Sequence, residues 1–206
     1  MLTSITIRNF KSYREAALPL APLTLLIGAN ASGKSNAIEA IRFLSWLARG
    51  QRLSSIQYDV QSSDLIVRGN THDLLSHGAS SFGFDCTYIS FLGLADHDIL
   101  SISIALRDNE LEIIDERLNG FGRKVPLYEL KEVAAAGSSD VRVAYDNFAR
   151  GGIKPQIICS NQQAIFTQLQ SAARFQKGHE KAQLQIPLAT ELVANDLAKI
   201  VFLDPE

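Results

Sequence analysis

Apolar and polar residues alternate along the first ten positions of the chain. The apolar members of this pattern are Leu2, Ile5, Ile7 and Phe10. A period of two is typical of a β-strand with one buried face, so the chain is predicted to open with a strand. Residues 16–20 are its short predicted partner, which ends before Pro22.

The next two segments have different periods. The run LTLLI at residues 23–27 is almost entirely apolar and predicts a fully buried central strand. After Lys34 the apolar residues recur at helical spacing, which predicts a helix that stops at Gly50. The apolar stripe of this helix consists of Ile38, Ile41, Phe43, Leu44 and Leu47.

The middle of the chain carries short strand patterns separated by turn residues, which is typical of an antiparallel meander rather than of regular β–α alternation. Before it, residues 51–81 predict loops with a short helix near 72–77. The predicted strands are 82–89, 99–107, 110–119, 123–128, 141–145 and 156–159. Two helices are predicted at 164–175 and 188–199, the second after Pro187, and the ending IVFLDPE predicts another buried strand.

Between the LTLLI run and the first helix the chain reads GANASGKSNAIEAI, residues 28–41. The spacing Gly28-x-x-x-x-Gly33-Lys34-Ser35 is that of a phosphate-binding loop, and the predicted strand and helix flank it as the motif requires. Glycines allow successive backbone N–H groups to point inward at an anion, and the helix N-terminus adds its own N–H groups. Lys34 would bring a cation to the β- and γ-phosphates, and Ser35 a hydroxyl ligand for Mg²⁺. The sequence therefore predicts the binding of a purine nucleotide, ATP with Mg²⁺.

Composition narrows the class of protein. The chain has 206 residues, of which 46% are hydrophobic, so it can bury a sizeable core as one domain or lobe. A net charge of −2 gives no general attraction to nucleic acid, and the arginines are scattered. Cys86 and Cys159 fit no metal-ligand spacing and are predicted to be buried or idle thiols in a reducing compartment. No signal peptide and no membrane-length apolar run is present, so a soluble cytoplasmic protein is expected.

Two segments resemble the amino-terminal half of ABC-type, AAA-family P-loop ATPases of the SMC, RecF and OLD-like kind. The first, ITIRNFKSYREAALPL at residues 5–20, resembles their opening strand with its Asn/Gly-Phe-Lys/Arg-Ser ending. The second, LLIGANASGKSNAIEAIRFL at residues 25–44, is similar to their Gly-x-Asn-x-x-Gly-Lys-Ser-Asn loop. Ala31 departs mildly from the pattern of these families, because many members carry glycine at this position. The strong resemblance covers about the first fifty residues.

The resemblance implies a fold class and a set of site residues. The fold would be α/β, the lobe of an ABC-type P-loop NTPase head with an added antiparallel β-meander. Residues 1–50 would form the first strands, the P-loop and the first helix, and residues from about 82 to 160 would form the antiparallel sheet. Ser35 would bind the metal, and Lys11, Ser12 and Tyr13 would lie near the adenine and sugar. The implied phosphate-side residues are Gly28, Asn30, Ala31, Ser32, Gly33, Lys34, Ser35 and Asn36.

The same families carry parts that this sequence does not show. They have a Ser-Gly-Gly signature loop and a strand ending in Asp-Glu, whereas here Asp204 and Glu206 are separated by Pro205 and no Ser-Gly-Gly occurs. The Mg²⁺-contacting glutamine is left open among Gln61, Gln156, Gln162 and Gln163. We therefore expect an amino-terminal lobe without its carboxy-terminal lobe, which binds ATP but does not hydrolyse it alone.

In the resembling families two heads dimerise around ATP and act on DNA or control a partner nuclease, in DNA repair or antiphage defence. Two other functions stay open from the residues themselves. One is a complete small P-loop kinase, which the meander disfavours. The other is a non-hydrolysing nucleotide-binding scaffold, which the retention of Lys34 and Ser35 disfavours. His72, His77, His97 and His179 have no partners at ligand spacing and are predicted to be ordinary loop or surface residues.

Overall fold

The computed structural model describes residues 1–56, 66–89, 99–119, 124–133, 135 and 137–203. Several residues named above lie outside this part of the chain: Gln61, His97, Asp204, Pro205 and Glu206.

The described strands form one antiparallel sheet in the order β2-β1-β3-β4-β5-β6-β7-β8. The opening strand β1 pairs with β2 on one side and with β3 on the other, where Ile7 lies opposite Phe84. The strand pair at the start of the chain and the meander are therefore a single sheet. The strands are β1 Leu2–Phe10, β2 Tyr13–Pro19, β3 Ser81–Tyr88, β4 Ile99–Arg107, β5 Glu110–Asn119, β6 Tyr128–Glu132, β7 Asp140–Tyr145 and β8 Gln156–Ser160.

Three α-helices lie in the described residues: α1 Lys34–Ala48, α2 Ile165–Gln168 and α3 Glu180–Ala198. Single 3₁₀ turns cover Leu53–Ser55, Thr71–Leu74 and Ala172–Arg174. The predicted helix after Lys34 is confirmed, and Gly50 follows its end with a φ of 73°. None of the helices described is long and apolar enough to span a membrane.

A cluster of four phenylalanine rings fixes α1 on the sheet. Phe43 of α1 meets Phe10 at the end of β1 and both Phe82 and Phe84 of β3, with ring centroids 5.4 to 6.3 Å apart within the cluster. All four side chains are at most 2% exposed. Aromatic rings at such distances add to the free energy gained from burial, so the first helix is held firmly at the end of β1.

A buried carboxylate fixes α2 to the opposite part of the sheet. Glu116 of β5 is completely buried and accepts hydrogen bonds from Tyr128 Oη at 2.8 Å and from the backbone N–H groups of Ile165 and Phe166 at 2.7 Å. Burial raises the pKa of Glu116 to about 7, although the three donors act in the opposite direction.

The prediction of a fully buried central strand at residues 23–27 is wrong for this structure. Leu23, Leu25 and Ile27 are 82%, 77% and 83% exposed, and no strand is formed there. A buried strand needs hydrogen-bonded neighbours, and every strand of the described residues lies in an antiparallel sheet that leaves this segment out.

Two helix boundaries also differ from the predictions. The helix expected at 164–175 is reduced to α2 and the 3₁₀ turn Ala172–Arg174. The last helix begins at Glu180, so Pro187 lies inside it rather than before it. The side-chain hydroxyl of Thr190 donates to Ile186 O at 2.8 Å and Pro187 O at 3.1 Å within the same helix.

Two strand predictions are corrected as well. The sixth strand begins at Tyr128, whereas the sequence pattern predicted a strand at 123–128. The described part of the terminal run, residues 200–203, is not a strand, and Val201 and Leu203 are 77% and 81% exposed. As at residues 23–27, apolar composition indicated burial, but the described residues supply no neighbouring strand.

Candidate phosphate-binding site

The glycine loop leads directly into α1 through two residues in the left-handed conformation. Ala31 has a φ of 63° and Gly33, the residue that caps α1, a φ of 93°. No side chain caps this helix end, and its first turn carries no acidic residue. Since the first N–H groups of an α-helix have no partner within the helix, this end can donate them to an anion.

The side chain of Lys34 folds back over the loop. Its amine donates to Gly28 O at 2.6 Å, to Ala29 O at 2.7 Å and more weakly to Ser32 Oγ at 3.4 Å. The cation and the start of α1 are thus gathered at one place, where both favour negative charge.

Two glycines of the loop are positions where a larger side chain would collide. A Cβ atom on Gly28 would lie 2.9 Å from Ser32 Oγ. A Cβ atom on Gly33 would lie 2.9 Å from Tyr13 Oη and 3.2 Å from Tyr13 Cζ. A side chain at either glycine would therefore force Ser32 or Tyr13 to move.

The turn between β1 and β2 lies against the loop and α1. Tyr13 Oη donates to Gly33 O at 3.1 Å, and Asn36 Nδ2 donates to Ser12 Oγ at 2.7 Å. The structure thus brings Ser12 and Tyr13 beside the glycine loop and the start of α1.

Lys11 has a different environment from its two neighbours. Its amine bonds to the carboxylate of Glu39 on α1 and to Arg68 O at 2.7 Å. Arg68 Nε donates to Glu39 Oε1 at 2.5 Å, and Arg68 N donates to Glu39 Oε2 at 3.1 Å. Burial alone would raise the pKa of Glu39, but the bonds from Lys11 and Arg68 outweigh it and lower the pKa.

The remaining predicted loop residues face solvent. Asn30, Ala31, Ser32 and Ser35 are exposed, and Asn36 is half-buried. The hydroxyl of Ser35 is therefore open to a ligand at the start of α1. All of the predicted loop residues lie on one continuous segment, as the motif requires.

Of the four glutamines considered as Mg²⁺ ligands, the three that the structure describes lie away from the loop. Gln163 Nε2 donates to Gly50 O at 2.7 Å, at the far end of α1 from Ser35. The 15 residues of α1 extend over about 22 Å at 1.5 Å per residue, so Gln163 is far from the loop. Gln162 Nε2 bonds to Leu111 O at 3.0 Å, and Gln156 is exposed at the start of β8.

Histidines and acids form no metal site in the part of the chain that the structure describes, where no group of three potential ligands occurs. His72 Nε2 bonds to Asn109 Oδ1 at 2.9 Å, and His179 Nδ1 bonds to Tyr145 Oη at 2.9 Å. These two imidazoles therefore make ordinary structural hydrogen bonds. Cys86 and Cys159 are buried and free, and burial raises the pKa of both thiols.

Sequence reasoning did not include Glu39 or Arg68 among the site residues. Glu39 follows Asn36 by three residues, and Asn36 follows Gly33 by three, so all three lie along one side of the start of α1. That spacing was a visible signal for Glu39. Arg68 had none, because it lies 29 residues along the chain from Glu39 and the sequence before it, from residue 51 onward, has no regular pattern.

Comparison with known proteins gives a family and several partial relatives. The family described as AAA ATPase domain matches residues 1–140. The Old nuclease of Escherichia phage P2 is 40% identical over 79 residues, which are 36% of this chain and 13% of that protein. The DNA replication and repair protein RecF of Cyanothece sp. is 49% identical over 47 residues, 22% of this chain and 12% of that protein.

A second RecF, from Streptococcus agalactiae, is 34% identical over 79 residues, which are 34% of this chain and 21% of that protein. The chain thus spans about an eighth to a fifth of the length of these curated relatives. Among solved structures, a chain from work on ATP-driven dimerization and DNA-stimulated activation of SMC ATPases is similar over 98% of this chain and 86% of that chain, with 16% identity and a TM-score of 0.38.

Proposed function

The chain belongs to the AAA ATPase domain family, and from that premise we propose that it is a RecF- or OLD-like member that binds Mg²⁺-ATP at residues 28–36. The observation that carries the proposal is the meeting of an uncapped helix start, a close-packed glycine turn and the amine of Lys34 at one point. Such a point attracts a polyphosphate, because N–H dipoles and a mobile cation converge on it.

The residues fit the nucleotide and its metal as follows. The N–H groups at the start of α1 and the amine of Lys34 bind the phosphates, and the exposed hydroxyl of Ser35 is available to Mg²⁺. Bound Mg²⁺ would neutralise charge on the β- and γ-phosphates. Ser12 and Tyr13 line the nucleoside side, where they are bonded to Asn36 and Gly33. The loop residues of this site are Gly28, Asn30, Ala31, Ser32, Gly33, Lys34, Ser35 and Asn36.

Hydrolysis requires more than these residues supply. We propose that this chain corresponds to the amino-terminal lobe of a P-loop head, and that a carboxy-terminal lobe and a second head complete the site. The exposed apolar side chains of residues 23–27 support this, because they are suited to an inner strand of a sheet to which other residues contribute. The full protein would be a cytoplasmic ATPase acting in DNA repair or antiphage defence, with DNA or a nuclease as partner.

The test separates binding from turnover. ATP and GTP are titrated against a fluorescent ATP analogue bound to the chain, with and without Mg²⁺, and phosphate release is measured in parallel. We expect ATP to compete in a Mg²⁺-dependent manner that Ser35→Ala weakens, with phosphate release no greater than that of Lys34→Ala. Rapid phosphate release by this chain alone would refute the half-site proposal.

A further inference from the structure

Three consecutive residues where the chain turns from β1 into β2, residues 11–13, each bond to a different position of the loop and α1; the last of them is the first residue of β2. The pairs are Lys11 with Glu39, Ser12 with Asn36 and Tyr13 with Gly33. The helix-side positions are three residues apart and lie on one side of the helix. The turn therefore runs along the first two turns of α1 rather than touching it at one point.

The contact farthest along α1, between Lys11 and Glu39, is the most buried of the three. The side chain of Glu39 is 5% exposed and that of Lys11 is 11% exposed, whereas Arg68 is 61% exposed. Glu39 accepts three kinds of donor: the amine of Lys11, Nε of Arg68 and the backbone N–H of Arg68. A buried carboxylate bonded in this way resists displacement, because each donor would lose a charged partner.

The two neighbouring contacts are weaker and more exposed. The Asn36–Ser12 hydrogen bond lies between exposed or half-buried residues, and the Tyr13–Gly33 hydrogen bond is 3.1 Å long. Neutral hydrogen bonds contribute less net free energy than hydrogen bonds to charged groups. Of the three side-chain contacts, the one between Lys11 and Glu39 therefore contributes most to holding the turn beside the loop.

We propose that Glu39 is a positioning residue for the nucleotide site, which holds the turn of residues 11–13 in place as the nucleoside-side wall. The inference rests on the proposed function, and it assigns Lys11 an indirect role through Glu39 instead of contact with the nucleotide. The phosphates, by contrast, meet residues 28–36, whose own contacts do not involve Glu39.

This division makes a distinctive prediction for two ligands. Mg²⁺-ATP contacts both the loop and the wall, whereas Mg²⁺-tripolyphosphate contacts the loop alone. In Glu39→Gln the affinity for Mg²⁺-ATP should fall about tenfold, as expected for the loss of charged hydrogen bonds that hold the wall. The affinity for Mg²⁺-tripolyphosphate should stay within about twofold of the original. Glu191→Gln, at an exposed position of α3, is the matched control and should change neither affinity.

Lys11→Met provides a second route that leaves Glu39 and Arg68 paired. It should lower ATP affinity in the same selective way, and the double variant should lose little more than either single variant, because both act on one contact. Circular dichroism and thermal unfolding of each variant identify any that fail to fold.

Three results would overturn the inference. If the folded Glu39→Gln and Lys11→Met chains lose affinity for both ligands equally, Glu39 only stabilises the fold. Unchanged ATP affinity in both variants would mean that the position of the wall does not depend on Glu39. If the unsubstituted chain binds neither ligand, the proposed function fails and this inference fails with it.

Discussion

Replacement of Gly33 by alanine should be unusually costly, because two separate physical effects coincide there. The first is backbone conformation: Gly33 has a φ of 93°, a region in which a residue with a Cβ atom is strained by about 1–2 kcal/mol. The second is contact: the new Cβ would lie 2.9 Å from Tyr13 Oη and 3.2 Å from Tyr13 Cζ. The ring must move, which also breaks the hydrogen bond from Tyr13 to Gly33 O and costs about 1 kcal/mol more.

Gly78 separates the two effects. It has a φ of 79°, but a Cβ atom there would meet nothing within 4 Å. Gly78→Ala should therefore lower the free energy of unfolding by about 1 kcal/mol, and Gly33→Ala by about 2–3 kcal/mol, both measured by urea denaturation with comparable m-values.

A double-mutant cycle completes this test. In a Tyr13→Ala background the contact between the new Cβ atom and the Tyr13 ring is gone. Gly33→Ala should then lower the free energy of unfolding only as much as Gly78→Ala does. If Gly33→Ala is no more harmful than Gly78→Ala in the original chain, the close approach of the turn to the loop is refuted.

Two further predictions concern the sheet and the apolar run before the loop. In the folded chain the pKa of Glu116 is about 7, above its ordinary value of 4.5. Between these two pH values the unfolded chain binds fewer protons than the folded chain. The free energy of unfolding should therefore fall as the pH rises from 4.5 to 7, by about 3 kcal/mol at most. Urea unfolding at pH 5 and pH 8 should show this fall in the original chain but not in Glu116→Gln; an equal fall in both would contradict the assignment. Leu25→Ser should change the unfolding free energy by less than about 0.5 kcal/mol because Leu25 is 77% exposed, whereas Leu44→Ser on α1, where Leu44 is 1% exposed, should cost about 2–5 kcal/mol. A large loss of stability in Leu25→Ser would show that residues 23–27 are buried after all.

Local pattern predicted much of the fold. The alternation in β1, the helical stripe of α1 and the turn residues between β4 and β5 each carry their own signal, and the structure confirms these elements. Burial of residues 23–27 could not be predicted in the same way, since it depends on which strands lie beside them rather than on their own composition.

Other features depended on contacts distant in sequence. Pro187 was expected to precede a helix because it cannot donate a backbone hydrogen bond, yet α3 continues through it with Ala182, Ile186 and Val193 buried on one face. Tertiary packing outweighs the local penalty there. The candidate site shows the same contrast: the loop residues follow from their spacing, whereas the Lys11–Glu39 pair joins two elements 28 residues apart.

The most direct test of the central claim is calorimetric titration of Mg²⁺-ATP into the chain and two lysine variants. The amine of Lys34 lies on the loop, while Lys177 is an exposed lysine on another segment and serves as the control. We predict that the original chain and Lys177→Ala bind ATP with equal affinity, and that Lys34→Ala binds at least about tenfold more weakly, as expected for the loss of a charged hydrogen bond. Absence of binding by the original chain, or equal affinity in Lys34→Ala, would contradict the assignment of residues 28–36 as a nucleotide site.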